Sequence, residues 1–172
     1  APAPTAQAES TLQSAAGAFR LTEIARGLAH PWAVAPLPEG GFLVTERPGQ
    51  LRRVSDNGAV SAPIEGVPAV YAKGQGGLLD VVLAPDYASS RRVYLSYAEP
   101  GPDDTAGTAV AVGVLQGDTL SDVRVIYRQV PKLVGPNHFG SRIVFDDKGH
   151  VFISQGDRTL RPAAQELDKL QG

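Results

Sequence analysis

Two residues of this chain have the types and the spacing for proton chemistry. His138 stands in the middle of GPNHFGSR (135–142), a stretch that one Pro and two Gly mark as a turn, and Asp157 lies nineteen residues further on in SQGDR. An imidazole accepts a proton near neutral pH, and a carboxylate beside it fixes the tautomer and stabilises the imidazolium. A pair of that kind can take the proton of a hydroxyl group while a hydride leaves the carbon. The two residues flank a strand–turn–strand stretch, and antiparallel pairing would bring those flanks together. A lone His in a loop is as a rule incidental, and the spacing by itself leaves that alternative open.

Gln75 sits in KGQGGLL, where three glycines allow a close approach of backbone to a ligand, or simply make a turn between elements. The stretch lacks the GK[ST] ending of a phosphate-binding loop. Arg142 opens a strand and is read as the partner of Asp157 or of another acid. Arg158 either faces the site or makes an outward salt bridge, since strand alternation permits both. Trp32 reads as a packing anchor between repeats, and His30, before Pro31, as extended chain. Asp86, Asp103, Asp104, Asp146 and Asp147 show no EF-hand spacing, and no residue of the chain is assigned to a metal.

The elements that must position these residues are short strands: 32–37, 41–46, 51–55, 78–84, 92–98, 108–115, 123–128, 142–146 and 150–155. Turn signals such as Pro38-Glu39-Gly40-Gly41, Asp56-Asn57-Gly58 and Asp146-Asp147-Lys148-Gly149 separate them. Only PAAQELDKL (162–170) has a helical look. The sequence therefore predicts an all-β fold. WAVAPLPEGGFLVTERPG, LLDVVLAPDYASSRRVYLSYAEP and SRIVFDDKGHVFISQGDR are copies of one hairpin, and Val44, Leu95 and Ile153 recur at intervals of 51 and 58 residues. A repeat of this length points to β-propeller blades. About three blades fit the length, whereas closure takes roughly four to eight. The expectation is a chain that forms part of a larger propeller, residues 19–172 being its N-terminal half and residues 1–18 a flexible lead.

With 16 basic and 18 acidic residues the formal net charge is −2, which supplies no electrostatic footprint for nucleic acid. No apolar run is long enough for a membrane span. Cysteine and methionine are both absent, which removes thiolate chemistry; a processed or excised chain is expected. The opening APAPTAQAESTLQSAAGA reads as the lead behind a removed export signal, so a periplasmic or secreted location is expected.

The series HPWAVAPLPEGGFLVTERPGQLRRV (30–54), GQGGLLDVVLAPDY (74–87), VYLSYAE (93–99) and HFGSRIVFDDKGHVFISQGDR (138–158) resembles the sugar dehydrogenases dependent on pyrroloquinoline quinone (PQQ), in particular the bacterial aldose sugar dehydrogenases of the glucose/sorbosone dehydrogenase family. The resemblance runs from about Phe19 to the end, in the family's order. It implies the N-terminal half of a six-bladed propeller that oxidises the anomeric carbon of aldoses to lactones. His138 would be the general base, Asp157 its orienting carboxylate and Gln75 a contact of the quinone. The resemblance further implies PQQ and Ca²⁺ as cofactors, with the Ca²⁺ ligands and the groups that bind the quinone carboxylates in the remaining half of the propeller. Implied partners are a sugar, that remaining half and an external electron acceptor. Asn137 stands where the strictly glucose-oxidising branch has an acid, which favours the broad-specificity branch. Two other functions stay open on the same fold: a metal-dependent lactonase, and a non-catalytic propeller that binds protein or glycan.

Overall fold

The computed structural model describes residues 9–170. Twelve strands occur among them: β1 (Glu9–Ser14), β2 (Gly17–Thr22), β3 (Pro31–Pro36), β4 (Phe42–Glu46), β5 (Gln50–Val54), β6 (Leu78–Leu83), β7 (Arg92–Pro100), β8 (Thr105–Gln116), β9 (Thr119–Arg128), β10 (Leu133–Val134), β11 (Gly140–Phe145) and β12 (Val151–Gln155). One helical turn, α1 (Tyr87–Ser90), links β6 to β7.

The sheets are antiparallel and follow the repeat. β3-β4-β5 form the first blade, β6-β7-β8-β9 the second, and β11-β12 begin the third. β10 continues the outer line of the second blade and pairs with the first residues of β8. Val44, Leu95 and Ile153 occupy equivalent places, each in the second strand of its blade and each opposite an apolar residue of the first strand: Val34, Val81 and Ile143. The strands β3, β6 and β11 lie side by side in that order, so they are the inner strands of successive blades. This is the propeller arrangement that the repeat predicts.

Burial explains why the blades stack. Leu43 and Leu51 of the first blade meet Leu78, Leu95 and Val93 of the second, all with no exposed surface. Full burial of each such side chain stabilises the fold by about 1.5–3 kcal/mol. Small hydroxyl residues set into these apolar strands tie one blade to the next. The Thr45 hydroxyl donates to the Leu79 carbonyl (2.6 Å), and the Thr108 hydroxyl to the Phe139 carbonyl (2.7 Å). Ser96 donates to the Ser141 carbonyl. The face of the first blade turned away from the second carries a groove of about 370 Å³ lined by Ile24, Leu28, Val34, Phe42, Val44 and Val54.

Three local expectations differ from what the structure holds. The flexible lead expected through residue 18 contains a strand from Glu9, because β1 and β2 close a hairpin whose side chains are almost all exposed; residues 1–8 lie outside the described residues. PAAQELDKL forms only a short 3-10 helix, Arg161–Gln165, since a segment this short with no apolar stripe to bury does not sustain an α-helix. His30 is left-handed (φ 50°) rather than extended, and its carbonyl accepts the Arg47 N–H at 3.1 Å to close the loop before β3.

Candidate active site

The propeller repeat delivers three side chains to one end of the inner strands. Trp32 sits at the start of β3, Gln75 just before β6 and His138 just before β11. Together with Leu79, Phe139 and Gly140 they line a cavity of about 230 Å³. Asp157 follows β12, the hairpin partner of β11, and this is how residues nineteen apart in sequence come into contact. His138 Nδ1 lies 2.6 Å from Asp157 Oδ1, with the imidazole 43% and the carboxylate 24% exposed.

The carboxylate is held in its charged form. The His138 imidazole, and after it the Thr159 N–H at 2.8 Å, keep the Asp157 carboxyl below its ordinary value. An ionised Asp157 is an acceptor only, so Nδ1 carries the shared hydrogen and Nε2 is left as the nitrogen free to act. Gln75 fixes the other side of the loop. Its Oε1 accepts the His138 backbone N–H (2.9 Å), while the Gln75 backbone N–H donates to the Pro136 carbonyl (2.9 Å). The three residues singled out in the sequence therefore form one hydrogen-bonded group.

Two glycines make the approach of the loops possible. A Cβ on Gly156 would lie 2.1 Å from the His138 carbonyl oxygen, and one on Gly74 would lie 2.6 Å from Pro136 Cβ. Gly156→Ala should force the Asp157 turn away from His138. The expected cost is about 1–3 kcal/mol, read as a lower denaturation midpoint of the full-length protein; an unchanged midpoint would show that the two loops slide apart freely.

The neighbouring cations behave differently from the sequence reading in one case of two. Arg142 does pair with an acid, but with Asp80 of β6 rather than with Asp157: Nη1 donates to Oδ1 at 2.9 Å, and the guanidinium stacks 4.1 Å over Trp32. Trp32 is thus both the expected packing residue and a wall of the cavity, half-buried between two clusters. Arg158 neither faces the cavity nor reaches outward. It is 2% exposed and lies beneath the His138 loop.

Sequence reasoning missed Asp80. Its Oδ2 accepts the Ile143 N–H (2.9 Å), so this one carboxylate joins the second blade to the third. The signal was available: an acid inside the apolar run LLDVVL has to be partnered if it is buried. Among the described residues no three His, Asp or Glu side chains cluster as metal ligands, and no helix is long and apolar enough to cross a membrane.

Blades in ring order around inner strands, with a His–Asp pair at one end of those strands, define this chain as a stretch of β-propeller carrying a polar site at its mouth. A sequence model of the Glucose / Sorbosone dehydrogenase family matches residues 28–172, and the chain belongs to that family. Aldose sugar dehydrogenase YliI of Escherichia coli (strain K12) is 52% identical over 166 residues, which make up 95% of this chain and 45% of that protein. The crystal structure of the soluble aldose sugar dehydrogenase of Escherichia coli in the apo-form has a TM-score of 0.83 and 55% identity, over 87% of this chain and 44% of that one. The PQQ-bound form of aldose sugar dehydrogenase from Streptomyces coelicolor has a TM-score of 0.73 and 27% identity, over 100% of this chain and 48% of that one. The chain thus spans slightly less than half the length of these relatives.

Proposed function

We propose that the protein of which this chain is part oxidises aldose sugars at the anomeric carbon to lactones, with His138 as the general base. One observation carries the reading: His138 is paired to Asp157 at 2.6 Å beside a cavity that Gln75 and Trp32 share. Membership of the family and the likeness to a PQQ-bound relative support it.

The residues present fit one edge of a planar quinone. Trp32 supplies aromatic surface, and Gln75 a side-chain amide nitrogen left over once Oε1 is used. When bound, PQQ supplies the two-electron acceptor. The groups for its carboxylates and for Ca²⁺ are assigned to the remaining half of the propeller, which is also the proposed partner for the apolar groove on the first blade. In the reaction a hydride leaves C1, the C1–O bond becomes a carbonyl, and His138 Nε2 takes the hydroxyl proton. Asp157 keeps Nδ1 protonated and stabilises the imidazolium that results. An external electron acceptor and an exported location complete the proposal.

The test uses the full-length protein, to which PQQ and Ca²⁺ are added while dye reduction is followed with glucose and other aldoses. Turnover that requires the quinone supports the proposal; no turnover and no bound quinone would return the site to a binding propeller. Asp157→Ala should lower turnover about a hundredfold. Wild-type turnover in a folded Asp157→Ala protein would remove the carboxylate from the mechanism.

A further inference from the structure

Arg158 is a cation with no carboxylate partner among the described residues, although it is 2% exposed. Burial holds its pKa below the ordinary arginine value. A charge in that position needs strong hydrogen bonding to be tolerated at all, and every acceptor is a backbone carbonyl. Nε donates to the Asn137 carbonyl (2.8 Å) and Nη1 to the Ala106 carbonyl of β8 (2.5 Å). Nη2 donates to the Gly135 carbonyl, with the Leu133 carbonyl at 3.5 Å as a longer second acceptor. The guanidinium carbon lies 3.8 Å over the Phe139 ring. The backbone N–H of Arg158 donates to the His138 carbonyl at 3.2 Å.

Three of these contacts fall on the residues immediately before, at and after His138, and a fourth on Gly135 of the same loop. Two consecutive left-handed residues, Arg158 (φ 50°) and Thr159 (φ 66°), turn the chain at this point. The same short turn therefore presents Asp157 to the imidazole and buries Arg158 beneath it.

We infer that Arg158 is a positioning residue for the proposed base, a guanidinium clamp whose three nitrogens fix loop 135–139 to β8 and so set where His138 Nε2 points. The inference rests on His138 being that base. Arginine suits the place because a planar fork of donors can bond several carbonyls at once, whereas an ammonium group is a single point of charge. Misplacement of a catalytic group by about 1 Å costs on the order of a hundredfold in rate.

The test compares Arg158→Met and Arg158→Lys in the full-length protein loaded with PQQ and Ca²⁺. Thermal melting, quinone binding, kcat and KM are measured, together with amide hydrogen exchange across residues 135–139. Both variants should keep quinone binding and KM within about threefold while kcat falls about a hundredfold. Exchange should rise at 135–139 and stay unchanged in β6 and β7. If Arg158→Met does not fold, Arg158→Lys carries the test, because it keeps the charge and loses the fork. Unchanged kcat and unchanged exchange in a folded variant would overturn the inference. So would a loss shared equally by kcat, quinone binding and protection throughout the propeller, which would make Arg158 a stabilising residue only. Local exchange that rises while His138→Ala retains full turnover would uphold the clamp and sink the assignment of the base.

Discussion

Turnover of the full-length protein is expected to fall about a thousandfold when His138 is replaced by Ala, with the fold and the binding of quinone retained. The expectation of an intact fold comes from the way the loop is held. Gln75 contacts the His138 backbone N–H, not the ring, and the Asn137 and His138 carbonyls accept from Arg158. Deleting the imidazole leaves all of these bonds in place. What is lost is Nε2 and the partner of Asp157. The measurement is kcat for glucose and a second aldose beside a thermal melt; a folded variant that turns over at the normal rate would mean that some other group takes the proton.

The Asp157 contact also has a pH signature. Its carboxyl lies below the ordinary aspartate value, held there first by the His138 imidazole. A depressed carboxyl contributes stability above its unfolded value and loses it as the pH falls through the folded one. The pair should therefore persist through mildly acidic solution and part only below the ordinary aspartate range, which a carboxyl-carbon titration of Asp157 by NMR would follow.

The second large effect is expected at Asp80, where Asp80→Ala should cost about 3 kcal/mol. The carboxylate accepts the Arg142 guanidinium and the Ile143 N–H, and its Oδ1 also takes the Val81 N–H at 3.1 Å. Ile143 is 3% exposed, so its N–H would be left without a partner away from water. The denaturation midpoint of the full-length protein reads this directly, and a midpoint equal to that of the unchanged protein would show that Asp80 is not the joint between the second and third blades.

The strands of the blades were legible as short apolar and β-branched runs between turn signals, although β4, β6 and β8 are buried almost continuously and only some strands alternate. In β3 the buried Ala33 and Ala35 alternate with exposed neighbours, and β11 repeats the pattern. β1 and β2 were not legible. Polar or small residues fill most of ESTLQS and GAFRLT, and with both faces exposed no alternation marks them. Among the site residues, His138, Asp157 and Gln75 stood out through residue type, turn chemistry and resemblance, and the pleat then brought the first two together. Arg158 could not be placed in the same way. Strand alternation decides between two faces of a sheet, but the chain leaves the strand at Gly156, and the left-handed turn that follows sends the side chain in a third direction. Asp80 was hidden inside a quoted motif, since its role lies in two partners more than sixty residues away.

The pair of hydrogen bonds between the Gln75 loop and the 136–138 loop is at once the seam of two blades and the support of the imidazole. On the proposed role of His138, breathing of the ring would be transmitted to proton transfer without any dedicated hinge. On that reading, catalysis should fade on warming before the sheets melt, since loops open locally at lower cost than core strands.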